Sequence, residues 1–148
     1  MPLLVRYAIL GVFFAIAQAQ SPDVFTGTWK LNAQKSSYIA KEDQYEDGVR
    51  TYTPTKDGHR VTYKMTHVDG KETKGEYTVR CSGSRCTSKV ASWTRKADGS
   101  VEGETLVEGK ILQKFIRAVS GDGKTLTTRF FDPKTGAQTS VQVWEKQP

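Results

Sequence analysis

Residues 60–81 read Arg60-Val61-Thr62-Tyr63-Lys64-Met65-Thr66-His67-Val68-Asp69-Gly70-Lys71-Glu72-Thr73-Lys74-Gly75-Glu76-Tyr77-Thr78-Val79-Arg80-Cys81. Val61, Tyr63, Met65 and His67 fall on one face, with Arg60, Thr62, Lys64 and Thr66 opposite. That period of two belongs to a strand with one buried side. Beyond Asp69-Gly70 the alternation resumes and gathers Tyr77, Val79 and Cys81. An Asp-Gly pair suits the positive φ positions of a two-residue hairpin turn, so the stretch reads as two antiparallel strands.

The same punctuation recurs on either side of this hairpin, at Asp57-Gly58, Ser82-Gly83, Asp98-Gly99, Glu108-Gly109, Gly121-Asp122-Gly123 and Asp132-Pro133-Lys134-Thr135-Gly136. The intervals match a strand plus its turn. About nine strands are expected, over 27–32, 48–55, 60–68, 73–81, 86–96, 100–107, 110–120, 125–131 and 138–146. A flat sheet of that width would leave long edges exposed. The expected fold is therefore all-β, a single antiparallel up-and-down barrel or strongly rolled meander. The long interval from Ala33 to Asp47 is read as a flap or a short helix over the mouth.

The 148 residues carry a net charge of +6 and a mean hydropathy of −0.55, against an integral membrane protein. Met1 to Ala19 has the form of a signal peptide: Arg6, an apolar run from Tyr7 to Ile16, then Ala17-Gln18-Ala19 at the cleavage site. The run is about half of the ~20 residues a membrane span requires. The expected organisation is a leader over 1–19 and one domain over 20–148, secreted or periplasmic, without stable membrane insertion after cleavage. In an oxidising compartment the only two cysteines, Cys81 and Cys86, are expected to pair across a hairpin. Their spacing does not suit a redox pair.

Phe25-Thr26-Gly27-Thr28-Trp29-Lys30-Leu31, with Ser140-Val141-Gln142-Val143-Trp144-Glu145-Lys146 at the other end, resembles the calycin superfamily of lipocalins and fatty-acid-binding proteins. Gly27-Thr28-Trp29-Lys30-Leu31-Asn32 with Lys35-Ser36, Val119 to Thr127 and the terminal Trp144-Glu145-Lys146-Gln147 is similar to exported bacterial lipocalin-like proteins of unassigned function. The resemblance implies a barrel in which Gly27 and Trp29 are structural, the indole lying across the closed end. It also implies an interior site for a small molecule. Where fatty-acid-binding proteins hold a carboxylate with Arg-x-Tyr on the last strand, this chain has Gln142 and Trp144, so the cationic fork is missing there.

Strand 110–120 has apolar residues on both faces, Ile111, Phe115 and Val119 on one and Leu112, Ile116 and Ala118 on the other. Arg117 and Gln113 share the first face. If that face points inward it has the makeup of a small-molecule cavity; if outward, Arg117 is a solvated cation. Tyr63, Met65, Phe115, Arg117 and Gln142 are the candidate wall residues for a hydrophobic or amphipathic small molecule.

No nucleophile with its base, metal-spaced histidine pair or phosphate-binding loop is present, so no catalytic residue, metal or cofactor is assigned. His59 follows a turn glycine and is expected at the surface, and His67 is expected to cap a neighbour at a strand end. Basic and aromatic residues near Trp93 and Phe115 are interrupted by Glu102, Glu104 and Glu108, which argues against nucleic acid. The leading reading is a monomeric, non-catalytic carrier. A barrel filled by its own side chains, serving as an adhesion or scaffold module, is the alternative, followed by an enzyme on the same fold.

Overall fold

The structure, a computed structural model, describes residues 23–148, which contain every strand and core residue discussed below. The leader over 1–19 lies outside the described residues. Strands β1 (Gly27–Leu31), β2 (Ser37–Tyr38), β3 (Tyr45–Pro54), β4 (Gly58–His67), β5 (Glu72–Ser82) and β6 (Arg85–Thr87) form the first half of the sheet. They are followed by β7 (Ala91–Arg95), β8 (Val101–Val107), β9 (Lys110–Val119), β10 (Thr125–Phe131) and β11 (Gln138–Lys146). From β3 onward each strand pairs with the next, and β1 bridges β3 and β11. Closure runs through Trp29↔Lys146, Lys30↔Glu145 and Leu31↔Trp144. The result is an all-β, up-and-down barrel of ten antiparallel strands, with β2 added beside the upper part of β11. This is the architecture that the turn rhythm and the resemblance both implied.

Three details differ from the sequence reading. Residues 86–96 form two strands rather than one, because Ser88 makes a turn: its Oγ donates to the Ala91 carbonyl at 2.8 Å and accepts from the Ala91 amide at 2.9 Å. The barrel therefore has one strand more than nine. The interval 33–47 holds only β2, a 3-10 turn at Lys41–Asp43 and the start of β3. There the Ser36 hydroxyl bridges the break between β1 and β2, accepting from the Val143 amide at 3.0 Å. His59 is buried rather than exposed, for a reason given below.

Alternation along the chain puts the turns after β3, β5, β7 and β9 at one end, here the lower, and those after β4, β6, β8 and β10 at the upper. The lower half is packed solid. Trp29, Val61, Val79, Val101, Leu126 and Trp144 are essentially without exposure, and Trp29 donates from Nε1 to the Phe25 carbonyl at 2.9 Å. Gly27 sits at φ +125°, where an L side chain is strained, and a Cβ there would press on the Lys146 side chain.

Just before β1, Asp23 folds back across the lower end. Its Oδ2 lies 3.1 Å from His59 Nε2 and 2.5 Å from Arg95 Nη2, and its Oδ1 accepts from the Phe25 amide at 3.0 Å. His59 turns inward because this carboxylate is there to receive it. Burial alone would raise the Asp23 carboxyl. The His59 and Phe25 hydrogen bonds and the Arg95 charge outweigh that and lower it to about 2.

Candidate functional site

The upper half is hollow. A cavity of about 250 Å³ opens between the side chains of β3, β4, β5, β9 and β11. All five sequence candidates, Tyr63, Met65, Phe115, Arg117 and Gln142, line it, together with Arg50, Tyr45, Tyr77 and Gln113. The inward face of β9 is the one carrying Gln113, Phe115 and Arg117; Leu112 and Ala118 face out.

Two glycines help make the room. An added Cβ on Gly75 would stand 2.5 Å from the Tyr63 hydroxyl, and one on Gly48 would stand 2.8 Å from Met65 Sδ. Both side chains lean over the neighbouring strand where a larger residue would block them.

The wall is also incomplete on one side. β6 pairs with β5 only through Arg80↔Thr87, Cys81↔Cys86 and Ser82↔Arg85. Residues 72–79 of β5 therefore have β4 on one edge and no strand on the other. Across this slot stand the 88–90 loop and the upper ends of β8 and β9. Thr73 and Tyr77 from one lip and Val90, Thr105 and Gln113 from the other all reach the cavity. The Cys81–Cys86 disulfide, its Cα atoms 4.0 Å apart, closes the base of the slot.

The charge pattern inside is one-sided. Arg117 is 3% exposed, and its Nε donates to Thr128 Oγ1 at 3.1 Å. Its guanidinium carbon lies 4.6 Å from the Phe115 ring centre and 5.9 Å from that of Tyr52. Arg50 donates from Nη1 to the Tyr52 hydroxyl at 3.3 Å and lies 5.7 Å from the Tyr63 ring and 5.8 Å from Trp144. Its buried Nε has no hydrogen-bond partner. No carboxylate lines the cavity, and neither arginine joins a salt bridge among the described residues.

These cations reset the groups between them. Burial pushes the Tyr52 phenol up, but Arg117 and Arg50 outweigh it and leave Tyr52 below the ordinary tyrosine range. Burial, and then repulsion from Arg50, lowers Arg117, with the tyrosines opposing. A guanidinium stays charged through such a shift. Tyr77, outside the immediate clamp, is raised chiefly by burial.

Sequence reasoning missed Arg50. On β3 the face with Val49, Thr51 and Thr53 has the β-branched residues typical of a buried side, whereas the observed inward face is Gly48, Arg50 and Tyr52. The available signal was the Gly48-x-Arg50-x-Tyr52 alternation, which sets a large aromatic on the same face as the arginine.

No protein-family model matches the chain, and no curated protein matches it. Among solved structures it is similar to a de novo designed fluorescence-activating β-barrel, at 16% identity over 84% of this chain and 94% of that one, with a TM-score of 0.46. It is also similar to the zebrafish ileal bile-acid-binding protein complexed with cholic acid, at 12% identity over 84% and 99%, with a TM-score of 0.42. Likenesses at these levels assign neither a family nor a ligand.

Proposed function

We propose that the barrel is a non-catalytic carrier for a small amphipathic anion. The ligand's acidic group would lie between Arg50 and Arg117 and its apolar body among Tyr63, Met65, Tyr77 and Phe115. One observation carries this reading: two guanidinium groups face a hollow that no carboxylate lines. An enclosed cation without a counter-ion is unfavourable, and an entering carboxylate, sulfonate or phosphate supplies one with charge-assisted hydrogen bonds.

Size narrows the class further. At about 250 Å³ the hollow lies just under the usual span of about 300–1,000 Å³ for drug-sized ligands, so a compact aromatic acid suits it better than a long acyl chain. The hollow also disfavours the solid scaffold alternative. The leader and the disulfide support release into an oxidising, secreted or periplasmic compartment, where the proposed carrier acts as a monomer.

The test is calorimetric titration of residues 20–148 with 2-naphthoate and, in parallel, with its uncharged carboxamide. Saturable binding of the acid, with binding of the amide weaker by at least about tenfold, is expected. Equal affinity for the two, or none for either, counts against the anion reading.

A further inference from the structure

The β8–β9 hairpin carries more apolar surface than the barrel can use. Above an irregularity at Thr105/Leu106, Leu106 pairs with Ile111 and Val107 with Lys110. The chain turns through Glu108 at φ 50° and Gly109 at φ 76°. At this tip Val107, Ile111 and Leu112 are 54%, 44% and 59% exposed. Leu112 stands on the opposite face from the inward Phe115, so no core contact accounts for it. The tip is tied to the 88–90 loop by the Leu106 amide donating to the Val90 carbonyl at 2.8 Å, and Val90 is exposed as well.

This lobe forms one lip of the slot into the cavity. Lys71, Lys74, Lys89, Lys110 and Lys114 lie on the two lips, and none is salt-bridged among the described residues. Against these five lysines stand Asp69, Glu104 and Glu108, while Glu72 is engaged by Lys64 at 3.0 Å. The acidic run from Glu42 to Asp47 reaches the rim beside the β4–β5 turn, where the Gln44 carbonyl accepts from the Val68 amide at 3.2 Å and Asp47 is engaged by Lys30 at 2.9 Å. The cationic excess therefore rests on the tip side, with Lys89, Lys110 and Lys114 against Glu104 and Glu108.

From this arrangement we infer that the β8–β9 tip docks reversibly on an anionic lipid surface, with the slot facing the bilayer. An apolar point ringed by cations gains both from burial at the acyl boundary and from attraction to acidic headgroups. A protein partner fits the lobe less well. The tip offers aliphatic side chains and lysines, whereas protein interfaces concentrate energy in Trp, Tyr and Arg and are depleted of lysine. The contact is peripheral and inserts no strand.

The test is flotation of residues 20–148, which include the whole closed barrel and its core, with phosphatidylcholine vesicles with and without phosphatidylglycerol. Binding is expected to the mixed vesicles, weakened by salt and reduced at least about tenfold in V107S/L112S. K89E/K110E, which leaves the apolar tip intact, is expected to lose the preference for phosphatidylglycerol. Both variants should keep the parent's 2-naphthoate titration, whatever that titration shows, so this result is independent of the carrier reading. No flotation of the parent with either vesicle overturns the inference, as does undiminished flotation of a folded V107S/L112S. Concentration-dependent self-association abolished by V107S/L112S, without vesicle binding, overturns it in favour of a second copy as the occupant.

Discussion

Arg117 presents the central energetic problem of the molecule, and the half-buried Arg50 adds to it. Cation–π contacts with Phe115 and Tyr52 and a single hydrogen bond to Thr128 offset only part of the desolvation of a guanidinium. Removing the charge should therefore move stability and binding in opposite directions. Arg117→Met is expected to hold or raise the midpoint of urea unfolding, as replacement of a buried ion by an apolar side chain of similar volume often does by about 1–4 kcal/mol. The same variant should lose about a hundredfold in affinity for 2-naphthoate. A variant that binds unchanged places the acid elsewhere. Tyr52 gives an optical reading of the same field. With two guanidiniums lowering it, this phenol should ionise before Tyr38, Tyr45 and Tyr77, which burial raises, in an ultraviolet absorbance titration, and Tyr52→Phe should delete that early step. A bound carboxylate neutralises the cations, so saturating 2-naphthoate should move the step to higher pH.

The strands show which parts of the structure were legible in advance. On β4 and β5 the buried side was written in the order of residues, because Val61, Tyr63, Met65, Tyr77 and Val79 contrast with the charged side chains between them. On β3 the contrast was reversed, with an arginine inside and valine and threonines outside. His59 was misplaced because its partner, Asp23, is remote in sequence and the pairing exists only after the barrel closes. The split of 86–96 turned on the Ser88 hydroxyl, which a propensity for strand does not reveal. The disulfide acquires a larger role at this level than a short loop suggests. It sits at the middle of the three residue pairs that join β5 to β6, among the narrowest ladders in the ring. Chain entropy for so short a loop gives only about 2 kcal/mol, so C81S/C86S should remain folded. Amide exchange in that variant should accelerate over residues 78–87 well before it does over β10 and β11. Uniform acceleration across all strands would show instead that the link supports the whole barrel equally.

The molecule as a whole is a vessel with unequal ends. Below, two tryptophans and a layer of aliphatic side chains leave no room for a ligand, and the segment at Asp23–Phe25 closes the floor. Above, glycines, tyrosines and two cations surround a hollow with a gap in its wall. This division lets the lower half carry the stability while the upper half holds charges that weaken it, and the floor should add its own step to the acid response of the fold, beside the surface carboxyls that are also lowered. Asp23 is held at about 2, below its ordinary value of 3.8. A carboxyl lowered on folding stabilises the protein above its unfolded pKa and loses that contribution as pH falls through the folded one. The window is therefore about pH 4 down to about pH 2, and the contribution lost across it is about 2 kcal/mol. Asp23→Asn, which keeps the shape and removes the charge, should cost about that much near neutral pH in urea unfolding. Its stability should also change less than the parent's across that acid window, so that the two curves converge at its lower end. If parent and variant instead run parallel through it, the Asp23–His59–Arg95 clamp is not what couples the floor of the barrel to pH.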